Sequence, residues 1–212
     1  LAGAELVFPG GALDGPSLFD LMDRERVFSA WGVPTVWLGL LGEIDRRGRL
    51  PDGFEHVVIG GSAAPRPMIE RFERLGVEVC HAWGMTEMSP VGTQGNLPKR
   101  MEDAPFEERI ARKATQGRRL FGVELKIVDE DGLRLPHDGK SLGELYVRGP
   151  AIISGYFGNP EASRKAFDAE GWFATGDIAT IDEEGFLLIT DRAKDVIKSG
   201  GEWISSLDLE SV

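Results

Sequence analysis

Residues 54–83, "FEHVVIGGSAAPRPMIERFERLGVEVCHAW", limit the fold more than any other stretch. A β-branched apolar run, "FEHVVIGG", ends in a glycine pair. A helical pattern follows, with Pro67 near its start, Gly76 after its end, and Met68, Phe72 and Leu75 on one face. "VEVCHAW" then returns as a second buried strand. A strand, helix, strand unit predicts α/β architecture, with its loops at the carboxyl edge of a sheet, where open α/β sheets bind ligands.

The preceding residues continue the same alternation: "AELVF" as strand, "SLFDLMDRE" as helix, "RVFSA" as strand and "PTVWLGLLGEIDRRG" as helix. Pro34 suits a first helical turn and Gly48 a helix end. From Asn96 to Gly117 the chain turns polar, with Pro98, Pro105 and a mixed-charge helical stretch, which reads as a surface excursion rather than a site. Beyond Gly117 the pattern changes to short strands broken by "DEDG", "PHDG" and "RGP", as in an antiparallel sheet or small barrel. "NPEASRKAFDAEG" reads as a helix with Asn159 as N-cap and Gly171 as terminator, and "WFATGDIATIDEEGFLLITDR" as a hairpin turning at "DEEG".

The net charge of −11, with no basic run longer than "RIARK", argues against a nucleic-acid partner, since such binding depends on cations that neutralise phosphate. One cysteine, Cys80, rules out an intrachain disulfide and points to a reducing, cytoplasmic location. No run approaches the roughly 20 apolar residues of a spanning helix. A start without Met and an ending where a helix begins, "SSLDLESV", read as the ends of an internal fragment.

Four motifs carry candidate chemistry. In "GGSAAP" the glycines Gly60 and Gly61 let backbone N–H groups approach a ligand, with Ser62 beside them; an ordinary strand-to-helix connection, with Ser62 satisfying a helix end, is the alternative. "WGMTE" offers an aromatic face at Trp83, a close-approach glycine at Gly84, a hydroxyl at Thr86 and a carboxylate at Glu87, suited to a purine, a phosphate and Mg²⁺. Core packing by Trp83 and capping by Thr86 stand equally open. In "TGD", Asp177 could accept both hydroxyls of a ribose or close an Asx-type turn. "DRAKDVIKSGGEWIS" places Arg192 within possible reach of a ribose or phosphate. His56, His81 and His137 show no metal spacing, and a lone histidine reads as structural.

In this order the motifs resemble the adenylate-forming superfamily of acyl-CoA synthetases, luciferases and peptide-synthetase adenylation domains. The segments "GGSAAP", "HAWGMTEMSP" and the run from "GYFGNPEAS" to "KSGGEWIS" carry the likeness over nearly the whole chain. "KSGGEWIS", with Trp203, is most similar to medium- and long-chain fatty-acyl-CoA synthetases. The fold implied is α/β plus β: residues 1–117 as part of an α/β subdomain, 118–190 as a distorted antiparallel β-barrel subdomain, and 191–212 as the hinge and first hairpin of a small α+β C-terminal domain.

The resemblance implies ATP and AMP, Mg²⁺, CoA and a fatty acid as the small molecules handled. An aryl- or short-chain acyl-CoA ligase, or a non-catalytic nucleotide-binding module, remains an alternative, and a homodimer stays open. Thr86 would contact phosphate and Glu87 would hold Mg²⁺, the two counted as catalytic together with Lys198. Gly60, Gly61 and Ser62 would line the nucleotide and acyl-carbonyl site, and Trp83 and Gly84 the adenine, where the family more often carries Tyr than Trp. Asp177 and Arg192 would hold the ribose, with Ile189 packed nearby. Lys194 would be the hinge, and Gly200 and Gly201 would admit the pantetheine arm. The family's Pro-Lys-Gly phosphate loop and late lysine do not occur in the sequence, so the resemblance implies that this chain alone forms no acyl-adenylate.

Overall fold

The computed structural model describes residues 3–193, 197–199 and 202–204. The chain divides into two compact units. One takes the chain up to Ala82 together with Leu97–Ala114, and the other takes Trp83–Asn96 together with the chain from Thr115 onward.

In the first unit α1 (Gly15–Arg24) starts at Asp14, whose carboxylate accepts the Ser17 N–H at 3.0 Å, and it buries Leu18, Phe19 and Met22. Strand β1 (Ser29–Gly32) leads to α2 (Pro34–Arg47). Pro34 opens α2, Gly48 closes it in the left-handed region at φ 68°, and Trp37, Leu40, Leu41 and Ile44 face inward. β2 (His56–Ile59), α3 (Arg66–Arg74) and β3 (Glu78–Gly84) form the expected crossover. β1, β2 and β3 pair in parallel in that order, with Ile59 opposite His81. Phe19, Leu40, Val57, Ile69, Phe72 and Val77 are fully buried in one core, where each large side chain contributes on the order of 2 kcal/mol.

Two expectations fail in this unit. "AELVF" forms no strand: Leu6 and Phe8 stand 74% and 80% exposed, and no described strand pairs with the segment. A short apolar run becomes a strand only where a neighbour satisfies its backbone. The polar excursion is also more than surface. It carries α4 (Phe106–Ala114), whose acidic first turn and basic last turn suit the helix dipole, and which sends Ile110 into the core. The last basic residue of "RIARK", Lys113, is buried too.

The second unit is antiparallel. β4 (Val91–Gln94), β5 (Gly117–Arg119), β6 (Glu124–Val128), β7 (Gly143–Arg148), β8 (Phe173–Ile181) and β9 (Phe186–Arg192) lie in the order β4-β5-β9-β8-β7-β6. The antiparallel pairing agrees with the expected β-rich subdomain, and the order does not return on itself, so the sheet is open instead of a closed barrel. Two small cores form, around Ile127, Leu145, Ala179, Ile181 and Leu187, and around Met88, Val123, Val147 and Phe173. α5 (Pro160–Ala166) is capped as expected, the Asn159 side chain accepting the Ala162 N–H at 3.0 Å. β10 (Ile197–Ser199) and β11 (Glu202–Ile204) pair as a separate antiparallel ribbon.

Candidate active site

Within the second unit the richest constellation surrounds Asp177. β8 is not a regular strand there: the short step from Glu144 to Tyr146 on β7 faces the longer one from Ala174 to Ile178, so Thr175, Gly176 and Asp177 bulge from the ladder. Gly176 takes φ +73°, a conformation that side chains disfavour, and this turns the following carboxylate inward. Asp177 is 3% exposed. Its Oδ2 accepts from Trp83 Nε1 at 3.1 Å, and its Oδ1 pairs with Arg192 Nη1 at 3.0 Å, directly across the β8/β9 register. Burial pushes the Asp177 carboxyl above the ordinary carboxylate range, and Arg192 and the Trp83 bond oppose that shift. Arg192 is itself 55% exposed in its side chain. The "TGD" motif is thus a bulge whose turn is closed by the Thr175 hydroxyl, which accepts the Asp177 N–H at 3.1 Å, and not by the Asp177 carboxylate.

The Thr86 and Glu87 pair sits on a short 3-10 turn, Thr86–Met88, immediately after β3. Gly84 is required by a close approach of the chain to itself, since a Cβ there would lie 2.0 Å from the Pro90 carbonyl oxygen. Met85 occupies the cap position of the turn without any side-chain capping bond, and the exposed Thr86 hydroxyl makes no hydrogen bond among the described residues. The capping reading of Thr86 therefore falls. Glu87 is half-buried and held from two sides: its backbone oxygen accepts the Ile153 N–H at 2.9 Å, and its Oε1 accepts the Tyr156 hydroxyl at 3.1 Å. Tyr156 is 37% exposed, and burial followed by its bond to Glu87 raises its hydroxyl pKa.

Ile189 is half-buried against the second unit's core, and its N–H donates to Gln116 Oε1 at 2.7 Å. Gln116 in turn takes the Thr93 hydroxyl on its backbone oxygen at 2.6 Å. Sequence reasoning missed Tyr156 and Gln116. No local pattern reports a partner 69 or 73 positions away.

In the first unit the "GGSAAP" loop follows β2. Gly61 has φ +79°, and a Cβ on it would press on Val33 at 2.9 Å. A Cβ on Gly60 would meet the Ala82 carbonyl oxygen at 3.2 Å. Ser62 is exposed and forms no hydrogen bond among the described residues, while the cap position of α3 belongs to Pro65 without a side-chain bond, so Ser62 does not cap that helix. Lys194, Gly200 and Gly201 lie outside the described residues. Lys198 lies on β10, opposite Trp203 of β11.

Among the described residues no cluster of three or more His, Cys, Asp or Glu forms a metal cage. Glu87 nevertheless fits a magnesium role: it offers a hard carboxylate with Oε2 unpartnered among the described residues, beside a bond-free hydroxyl. Mg²⁺ commonly takes one or two carboxylates and completes its shell with substrate phosphates and water.

Residues 1–157 match the family described as AMP-binding enzyme. The chain belongs to that family. Among its curated relatives are the medium-chain-fatty-acid CoA ligase of Ectopseudomonas oleovorans, 50% identical over 213 residues, and the long-chain-fatty-acid CoA ligase of Thermus thermophilus, 50% identical over 211. Both alignments cover 100% of this chain but 38% and 39% of the relatives, so the chain spans about two fifths of their length. The solved structure of O-succinylbenzoate coenzyme A synthetase from Bacillus subtilis, in complex with ATP and magnesium ion, is similar at TM-score 0.75 and 30% identity. That likeness covers 93% of this chain and 38% of the synthetase. No described helix is long and apolar enough to cross a membrane.

Proposed function

We propose that this AMP-binding chain supplies part of the nucleotide site of an ATP-dependent fatty-acyl-CoA ligase. In that reaction a fatty carboxylate attacks the α-phosphate of ATP to give acyl-adenylate and pyrophosphate, and the thiol of CoA then displaces AMP. The observation that carries the reading is the Thr86–Met88 turn, which presents a hydroxyl with no capping duty next to a carboxylate fixed through its backbone and one oxygen. The 50% identity to medium- and long-chain-fatty-acid CoA ligases supports the fatty-acid substrate.

Thr86 donates to a phosphate oxygen of ATP, and Glu87 carries the magnesium. A magnesium ion bound there would neutralise charge on the phosphates as the acyl oxygen attacks. Tyr156 orients Glu87 by occupying Oε1, leaving Oε2 for the metal. Asp177 accepts the ribose hydroxyls with Arg192 beside it, Trp83 and Gly84 face the adenine, Ile189 packs nearby, and Gly60, Gly61 and Ser62 offer backbone groups to the acyl carbonyl. Alignment and charge neutralisation supply most of the catalysis in such a step. Lys194 as the pivot, and Lys198 with Gly200 and Gly201 at the thioester step, rest on the motif resemblance.

The test is fatty-acid-dependent exchange of pyrophosphate into ATP by the ligase that carries this chain. Glu87→Gln is expected to reduce the exchange about 100-fold and to raise the magnesium concentration needed for half-activity, with Thr86→Ala losing about 10-fold. Wild-type rates in both variants would contradict the assignment.

A further inference from the structure

His81, the first residue of "HAWGMTE", has no place in the chemistry above, yet it is 2% exposed in the middle of β3. Its two ring nitrogens meet opposite kinds of partner. Nδ1 lies 3.1 Å from the carbonyl oxygen of Ala114, which can only accept, and Nε2 lies 3.3 Å from the backbone N–H of Ala64, which can only donate. One ring form satisfies both: the neutral imidazole with its proton on Nδ1. An imidazolium, or the opposite tautomer, would turn an N–H against the N–H of Ala64.

Each end of this bridge has a reason to need it. Ala114 is the last residue of α4, where a helix leaves carbonyls without intrahelical donors, and His81 Nδ1 satisfies one of them. Ala64 belongs to "GGSAAP", a loop whose own side chains cannot tie it down: Gly60, Gly61, Ala63 and Ala64 carry no polar side-chain group, and Ser62 makes no bond among the described residues.

We infer that His81 is a positioning residue. It holds the backbone of the 60–64 loop by presenting the lone pair of a neutral, Nδ1-protonated ring to Ala64, with α4 as the fixed support. Its effect on catalysis rests on the proposal that this loop faces the acyl and nucleotide groups; the anchoring itself does not. Misplacing a substrate-facing backbone by about 1 Å can cost on the order of 100-fold in rate.

Three measurements test this. Ring ¹⁵N spectra of the unmutated protein at neutral pH are expected to show a protonated Nδ1 and an unprotonated Nε2 for His81; an Nε2–H ring or an imidazolium would overturn the inference. This reading holds whether or not any variant folds. In His81→Phe, which keeps the ring volume and removes both nitrogens, amide exchange at Ala64 is expected to quicken at least about 10-fold. In His81→Gln, whose amide offers one donor and one acceptor, protection should return; unchanged exchange in His81→Phe would overturn the inference. Adenylation kcat/KM should fall about 10- to 100-fold in His81→Phe and stay within about 3-fold in His81→Gln. Absence of ligase activity in the unmutated protein, with tautomer and exchange as expected, would sink the proposed function and leave the anchoring intact.

Discussion

Two ion pairs, Lys113–Glu73 in the first unit and Asp177–Arg192 in the second, each hold a buried carboxylate, and they are built for opposite ends. In the first unit Lys113 meets Glu73 at 2.8 Å, with side chains 3% and 9% exposed. Lys113 also donates to the Val79 carbonyl at 3.0 Å, and Glu73 Oε1 accepts the Val79 N–H at 2.8 Å, so α3, α4 and β3 are clamped around one strand residue. In the second unit Asp177 is 5% exposed in its side chain, but its partner Arg192 is 55% exposed and carried by the last residue of β9. The first pair is closed but for the exposed Glu78 carboxylate 3.9 Å from Lys113, and removing either partner leaves a buried charge. The second has a fixed, buried acceptor and a cation that reaches solvent. A carboxylate kept above its ordinary pKa by burial gains from any further donor, and ribose hydroxyls are such donors.

The largest expected effect breaks the closed pair. Lys113→Met leaves Glu73 buried and uncompensated, and should destabilise the protein by about 3–5 kcal/mol in chemical denaturation. A loss below about 1 kcal/mol would mean that water reaches the Lys113 site. Next, Gly84→Ala forces a Cβ onto the Pro90 carbonyl and should cost about 1–3 kcal/mol together with nucleotide affinity, since the same turn carries Thr86 and Glu87.

A smaller effect separates the pairs by pH. Because the folded pKa of Asp177 is raised, the folded state keeps this proton where the unfolded chain has already released it. Its contribution to stability is therefore fully present below the ordinary value of 3.8 and is lost as pH rises through the folded value. Asp177→Asn removes that loss. Its melting temperature relative to wild type should climb as pH is raised from below 3.8 to neutrality, while function falls. A difference that stays flat with pH would show that burial does not strain Asp177. Arg192→Ala is expected to destabilise the protein less than Lys113→Met does, since Trp83 still donates to the buried Asp177 that loses its cation.

Helix starts, and the end of α2, were legible because single residues announce them, whereas α5 stops at Ala166, short of the Gly171 expected to terminate it. Pro34 and Gly48 bound α2 as expected, Asn159 caps α5, and the apolar spacing of Met68 and Phe72 marks the buried face of α3. The turn at "DEEG" likewise exposed the β8/β9 hairpin. What failed depends on partners distant in sequence. "AELVF" looks like a strand, but a strand exists only with a neighbour, and α4 looks like surface until Ile110 and Lys113 find the core. Within the site, Asp177, Arg192, Thr86 and Glu87 were visible as residue types. The bond from Trp83 to Asp177, 94 positions apart, was not, nor were the bonds of Tyr156 to Glu87 and of Ile189 to Gln116. Trp83 was expected to offer a face to adenine; its N–H turns out also to hold the carboxylate expected to bind the ribose.

The most direct test of the account is calorimetric titration of AMP into the protein that carries this chain and into its Asp177→Asn form, alongside Lys113→Arg as a control in the closed pair. The account predicts an affinity loss of about 10- to 100-fold for Asp177→Asn, the scale of hydrogen bonds to a charged acceptor, with the control within about 2-fold of wild type. Equal affinity for AMP with and without the Asp177 carboxylate would contradict it.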